Sequence, residues 1–119
     1  MISDGDFRKK ERILKTRDFR IAYKKGRSLR KDGLVLYFLA NGLSYNRVGF
    51  SISSSTVKLA TLRNRIRRLF REVYRRKKTS MKTAFDIILI VRKNPGKATS
   101  YKWAEETFSA LLKQAGIML

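Results

Sequence analysis

The side chains that ordinarily cleave a phosphodiester are scarce in this chain. There is no histidine and no cysteine, which removes imidazole bases, thiol nucleophiles, disulfides and Cys/His zinc sites together. A metal pair would have to be built from carboxylates. The nine acids, Asp4, Asp6, Glu11, Asp18, Asp32, Glu72, Asp86, Glu105 and Glu106, are scattered along the sequence. Asp4 and Asp6 fall in a basic arm, and Glu105 and Glu106 stand about 100° apart on a helix. Helix capping and surface solvation account for these acids, and no catalytic or metal-binding residue is assigned to the protein.

Arginine, by contrast, is concentrated. "LRNRIRRLFREVYRR" (62–76) holds seven arginines in fifteen positions, with apolar residues set regularly among them. On a helical wheel Leu62, Ile66, Leu69, Phe70 and Val73 converge on about a third of the circumference, the width of a core-facing stripe. Asn64, Arg68, Arg71 and Arg75 lie opposite. Arg63 and Arg67 flank one edge of the stripe, Arg65 and Arg76 the other. Glu72 can neutralise one or two of these arginines. Like-charge neighbours such as Arg68 with Arg71 repel, at roughly 0.2–0.5 kcal/mol per pair. A ridge of this density calls for an external anion. Guanidinium forks pair bidentately with phosphate and stack on bases, so the ridge reads as a nucleic-acid grip.

The whole chain points the same way. Its 119 residues carry 29 Lys plus Arg against nine acids, a formal net charge of +20. That excess predicts a polyanionic partner, nucleic acid first and an acidic membrane surface second. The apolar fraction of 43% is grouped in runs and supports a folded domain. No run approaches the roughly 18–20 apolar residues of a membrane span, and the N-terminus lacks the apolar core of a secretory signal. A cytoplasmic protein is expected, without membrane attachment and with no protein partner indicated.

The elements that must position these residues follow from periodicity. Residues 1–15 form a basic arm of irregular path on a single RNA-binding domain, 1–119. A short helix spans 17–25, with Thr16 as N-cap, Gly26 as stop, and Phe19 and Tyr23 on one face. "GLVLYFLANG" gives a strand over 34–40, and "RVGFSIS" one over 47–53 with Val48, Phe50 and Ile52 on one face. These two are expected to pair as an antiparallel hairpin, with a short strand near 28–31 before them. The helical period runs from about 58 to 76. "FDIILIVRK" (85–93) reads as a strand covered on both faces or central in its sheet. Ser100 caps a last helix to about 115, buried through Ala104, Phe108, Leu111, Leu112 and Ala115, with Gly116 at its end. The order α-β-β-β-α-β-α is an α+β sandwich: one mainly antiparallel sheet packed by helices.

"RNRIRRLFRE" (63–72), following "RVGFSIS", resembles the signature of the bacterial ribonuclease P protein subunit, the small basic partner of a catalytic RNA. The "RDFRIAYKKG" helix with the preceding Arg12, and the "LVLYFL" and "FDIILIVR" strands, extend the resemblance over most of the chain. It implies the same element order, with a left-handed crossover through the arginine helix that the general handedness rule does not predict. It implies that Arg63, Asn64, Arg65, Arg67 and Arg68 face the RNA subunit and nearby substrate; Arg71 and Arg75 join them by their place on the ridge. Relatives carry a lysine pair just after the "RVGFSIS" strand. Here Ser54 and Ser55 stand there, with Lys58 the nearest substitute.

The resemblance also matches Phe19, Tyr23 and Tyr37 to a cleft that holds the single-stranded 5′ leader of precursor tRNA. Spacing alone leaves these aromatics open to core packing or to stacking on bases, the latter worth roughly 1–3 kcal/mol per base. Arg12, Lys15 and Arg20 are basic neighbours able to hold phosphates. Leu34, Leu36 and Phe38 share one strand face, while Val35, Tyr37 and Leu39 share the other. If the two long helices cover the first, Tyr37 lies on a partly covered face. Tyr101 and Trp103 are assigned to packing. The function implied is a subunit of the ribonuclease P ribonucleoprotein, an endonuclease of tRNA 5′ maturation. The RNA, with bound magnesium, does the hydrolysis. A ribosomal or RNA-chaperone protein is the main rival, and a membrane-surface or antimicrobial protein the second.

Overall fold

The computed structural model describes residues 7–119; the first six residues of the arm, Asp4 and Asp6 among them, lie outside it. The chain forms α1 (Thr16–Lys25), β1 (Arg27–Lys31), β2 (Leu34–Ala40), β3 (Arg47–Ile52), α2 (Ala60–Lys77), β4 (Phe85–Val91) and α3 (Tyr101–Gln114). One sheet runs in the order β1-β2-β4-β3. Its β1–β2 and β2–β4 pairings are antiparallel and its β3–β4 pairing is parallel. The α+β order and mainly antiparallel sheet expected from the sequence are therefore present.

The expected β2–β3 hairpin is not. Strand β4 lies between the two, because its run Ile87–Val91 is buried along its whole length and needs a neighbour on each side. The loop after β2 holds the gap open. Asn41 N–H donates to the Ala84 carbonyl at 2.9 Å. Asn46 donates through Nδ2 to the Lys82 carbonyl at 2.8 Å and accepts the Phe85 N–H at 2.9 Å. The hairpin of this sheet is instead β1–β2. It turns at Asp32-Gly33 with φ of +49° and +79°, the left-handed pair that a two-residue hairpin requires. Asp-Gly between strands is the signal that marks it.

The two sheet faces are unequal. Leu34, Leu36, Phe38, Val48, Ile52, Ile87 and Leu89 meet α2 and α3 in the main core, with Phe70, Phe108, Leu111 and Leu112 fully buried. Val35, Ile88 and Ile90 form a smaller cluster with Ala22 and Ile13, closed at its rim by Phe19, Tyr37 and Leu39. Long helices thus seal one face, and the ten-residue α1 covers only part of the other.

Local signals explain most helix ends. Ser100 Oγ accepts the Trp103 N–H at 3.1 Å, and Gly116 takes φ +76° just past α3. Ala115 is half-buried rather than part of the sealed stripe. Thr16 is the first residue of α1 and Lys15 its N-cap, without a side-chain cap. The reason is that Ile13 N–H is bound to the Val48 carbonyl at 2.9 Å, holding the preceding chain extended up to Lys15. That bond also docks the arm: Arg12 bridges Val48 in parallel alongside β3, and Ile13 is buried.

Candidate nucleic-acid interface

Helix α2 is fixed from below. Ile66, Phe70, Val73 and Tyr74 are fully buried, with Leu62 and Leu69 half-buried beside them. Phe70 stacks on Phe50 at 6.0 Å and meets Phe108 edge-on at 5.8 Å and Trp103 at 5.3 Å. Tyr101 carries the Arg76 guanidinium at 4.8 Å. Tyr74 belongs to the buried stripe although the wheel omitted it; its hydroxyl finds a partner in Glu11.

The outward arginines divide by what holds them. Glu72 takes Arg75 at 2.6 Å and Arg76 at 2.9 Å, and the Arg75 hydrogen bond foremost holds its carboxyl down to about 2. Arg63 donates to the Val57 and Lys58 carbonyls at 2.8 and 2.9 Å, tying the loop before α2 to its first turn. Arg65 reaches the Thr99 carbonyl at 3.3 Å, and Arg67 the Asn64 side chain at 3.2 Å. Among the described residues Arg68 and Arg71 have no hydrogen-bond or ion-pair partner. Desolvation first, then the charges of Arg12 and Arg67, pull the Arg71 guanidinium below its ordinary value.

Arg12, Arg67 and Arg71 converge on one pocket of about 190 Å³, floored by Val48, Gly49 and Phe50. A second, of about 320 Å³, is lined by Thr16, Phe19, Tyr23, Ser51, Ser53 and again Phe50 and Arg67. The ridge and the aromatic groove therefore share a wall. Tyr23 is 40% exposed and stands between Phe19 at 6.3 Å and Tyr37 at 5.1 Å. Phe19 lies over Gly49, where an added Cβ would come within 2.8 Å of its ring. Aromatic stacking, phosphate pairing and a narrow floor are together what an unpaired strand needs.

Not every expected residue converges there. Tyr37 joins the groove only through Tyr23, and exposed Lys15 lines neither pocket. Ser54 and Ser55 are exposed in the loop after β3, where Ser53 Oγ ties Ser55 and Thr56 at 2.9 Å each; Lys58 is exposed beside them. Phe50 packs against the core, as its alternation predicts, yet it also lines both pockets.

Two acids depart from the surface role expected of them. Asp86 is buried and accepts the Arg47 fork at 2.8 and 2.6 Å and Asn41 Nδ2 at 3.0 Å. Arg47 also reaches Asp18 of α1 at 3.4 Å, so this network fixes the groove's helix to the sheet. The Asp86 hydrogen bond raises the Arg47 guanidinium above its ordinary value. Glu11 is the other buried acid. Burying a carboxylate requires such partners; the side chains that supply them, Arg47 and Asn41 for Asp86 and Tyr74 and Lys78 for Glu11, are distant in the sequence and no local pattern pairs them. Among the described residues no group of three or more His, Cys, Asp or Glu could hold a metal ion, and no helix is long and apolar enough to cross a membrane.

Fold and surface define a class: small, strongly basic α+β proteins with a guanidinium-bearing helix beside an aromatic groove. A family model described as Ribonuclease P matches residues 7–116. The chain belongs to this family, the bacterial protein component of ribonuclease P, the enzyme that processes the 5′ end of tRNA. It is similar to the ribonuclease P protein component of Alkaliphilus metalliredigens, 38% identical over 103 residues, or 87% of this chain and 91% of that one. Its identity to that of Clostridioides difficile is 37% over 115 residues, 96% and 99% of the two chains. The solved ribonuclease P protein of Staphylococcus aureus matches with a TM-score of 0.82 at 34% identity, covering 92% of this chain and 98% of that one. The ribosomal or chaperone reading is not favoured.

Proposed function

We propose that the outer face of α2, through Arg63, Asn64, Arg65, Arg67, Arg68, Arg71 and Arg75, binds the ribonuclease P RNA. The groove of Phe19, Tyr23 and Tyr37, with Arg12 across the shared wall and Lys15 next to its Thr16, then receives the 5′ leader of precursor tRNA. The observation that carries this reading is the shared wall: Arg67 and Phe50 line both the ridge-side pocket and the groove. One strand can thus pass from phosphate pairing to base stacking without leaving the protein.

The protein's part is recognition, and hydrolysis belongs to the RNA with magnesium held mainly by RNA phosphates. The carboxylates among the described residues support that division, because they form no group that could hold an ion. The basic face lowers repulsion between two polyanions. The groove adds contacts that mature tRNA, lacking a leader, cannot make, so binding favours substrate over product. The cytoplasm, where tRNA precursors and the RNA subunit coexist, is the expected location.

The test is a holoenzyme reconstituted with a bacterial ribonuclease P RNA and titrated with precursor and mature tRNA. Phe19→Ala and Tyr37→Ala should each reduce the preference for precursor about 5- to 150-fold, the range of one base–aromatic stack, while the protein–RNA complex still forms. An undiminished preference in both variants removes the groove from the leader's path.

A further inference from the structure

Glu11 stands out among the acids of this protein. It sits in a basic segment, "RKKER", yet only 4% of its surface is exposed. Its Oε2 accepts the Arg8 N–H at 2.8 Å, and its Oε1 accepts Lys78 Nζ at 2.7 Å and the Tyr74 hydroxyl at 3.4 Å. Burial first, then the Glu11 charge, pushes the Tyr74 hydroxyl above its ordinary value. The Phe7 ring closes the same contact, edge-on to Tyr74 at 5.2 Å.

The next residue faces a different part of the same helix edge. Arg67, Arg71, Tyr74 and Lys78 follow at intervals of four, three and four, which places them along one stripe of α2 and its continuation. Glu11 engages the Tyr74–Lys78 end of this stripe, while Arg12 lines the pocket at the Arg67–Arg71 end. The Arg12 guanidinium is steadied by the Phe7 carbonyl at 2.9 Å and the Phe7 ring at 5.0 Å. A slip of the arm along the stripe would carry Arg12 out of that pocket. The backbone bridge to Val48 fixes the arm's distance from β3, whereas the Glu11 contacts fix its place along α2.

We propose that Glu11 is a positioning residue for substrate recognition: it sets the register of the N-terminal arm on α2 and so holds Arg12 beside Arg67 and Arg71, where the three guanidiniums receive one leader phosphate. The inference rests on the groove reading above. It makes a prediction opposite in sign to plain electrostatics. Glu11→Gln raises the net charge by one, which by itself strengthens binding to RNA; loss of register weakens it.

The experiment compares wild type, Glu11→Gln, Arg12→Ala and the double variant in holoenzyme reconstituted with ribonuclease P RNA, folding being checked by circular dichroism. Affinities for precursor and mature tRNA are measured across a salt series. Glu11→Gln is expected to weaken precursor binding about 2- to 5-fold, the size of one exposed charge contact. The slope of log affinity against log salt should become shallower by no more than about 0.7, the value for one whole phosphate, because Arg67 and Arg71 remain on it. Neither change should recur in the Arg12→Ala background. Unchanged or tighter precursor binding by folded Glu11→Gln, or a loss that recurs without Arg12, overturns the proposal. If Glu11→Gln does not fold, Lys78→Gln takes its place under the same Arg12 criterion. Wild type that fails to prefer precursor overturns the groove reading itself, an outcome separate from any effect of Glu11.

Discussion

Arg68 and Arg71 differ from Arg63 and Arg65 in a way that type alone does not show. The first pair carries charge that no described side chain neutralises, while the second directs part of its hydrogen bonding to backbone carbonyls. Arg63 is accordingly a structural residue as well as a candidate RNA contact. Gly49 is the other residue on which the site turns. Its missing Cβ lets the Phe19 ring lie against β3, with Ile13 Cβ also only 3.2 Å from where that atom would stand. Gly49→Ala should therefore move Phe19 and diminish the holoenzyme's preference for precursor over mature tRNA, while strand β3 still forms. Paired binding titrations check this, and an unaltered preference would show that Phe19 need not lie where it does. The Phe19 and Tyr23 spacing was legible in the sequence because it repeats within one helical turn. The Gly49 contact was not, since it joins residues thirty positions apart.

At the scale of elements, α2 concentrates positive charge and carries one acid to offset it. Glu72 is held at about 2, well below the ordinary 4.5, chiefly by Arg75. A folded-state value below the unfolded one contributes stability that is complete above about pH 4.5 and is lost as pH falls towards 2. Glu105, held down by Lys77 on α2, acts in the same direction. Thermal melts between pH 5 and about 2 should show a falling Tm, and Glu72→Gln should flatten part of that fall. An identical pH profile in the variant would remove Glu72 from the balance. Strand and helix positions were readable because each rests on a local period. The exchange of β3 for β4 as the neighbour of β2 was not. It follows from the burial of Ile87–Val91 on both faces and from Asn41 and Asn46 bonding across the chain, which a strand's own alternation does not encode. The acids failed for the same reason, as Glu11 and Asp86 meet partners 67 and 39 residues away.

For the molecule as a whole, a net charge of +20 on 119 residues is the dominant fact. The fold distributes that charge so that a sealed core backs the arginine helix and a thinly covered sheet face backs the groove. Binding to a polyanion then releases counterions in proportion to the phosphates engaged, and affinity falls linearly in log salt. The most direct measurement is that slope for the protein binding ribonuclease P RNA together with precursor tRNA, in wild type and in Arg68→Ala with Arg71→Ala. With two fewer phosphates neutralised, the slope should become shallower by roughly 1.4–1.8, at every RNA concentration tested. A double variant with the wild-type slope would contradict the account, because the two arginines that no described side chain neutralises would then meet no phosphate at all.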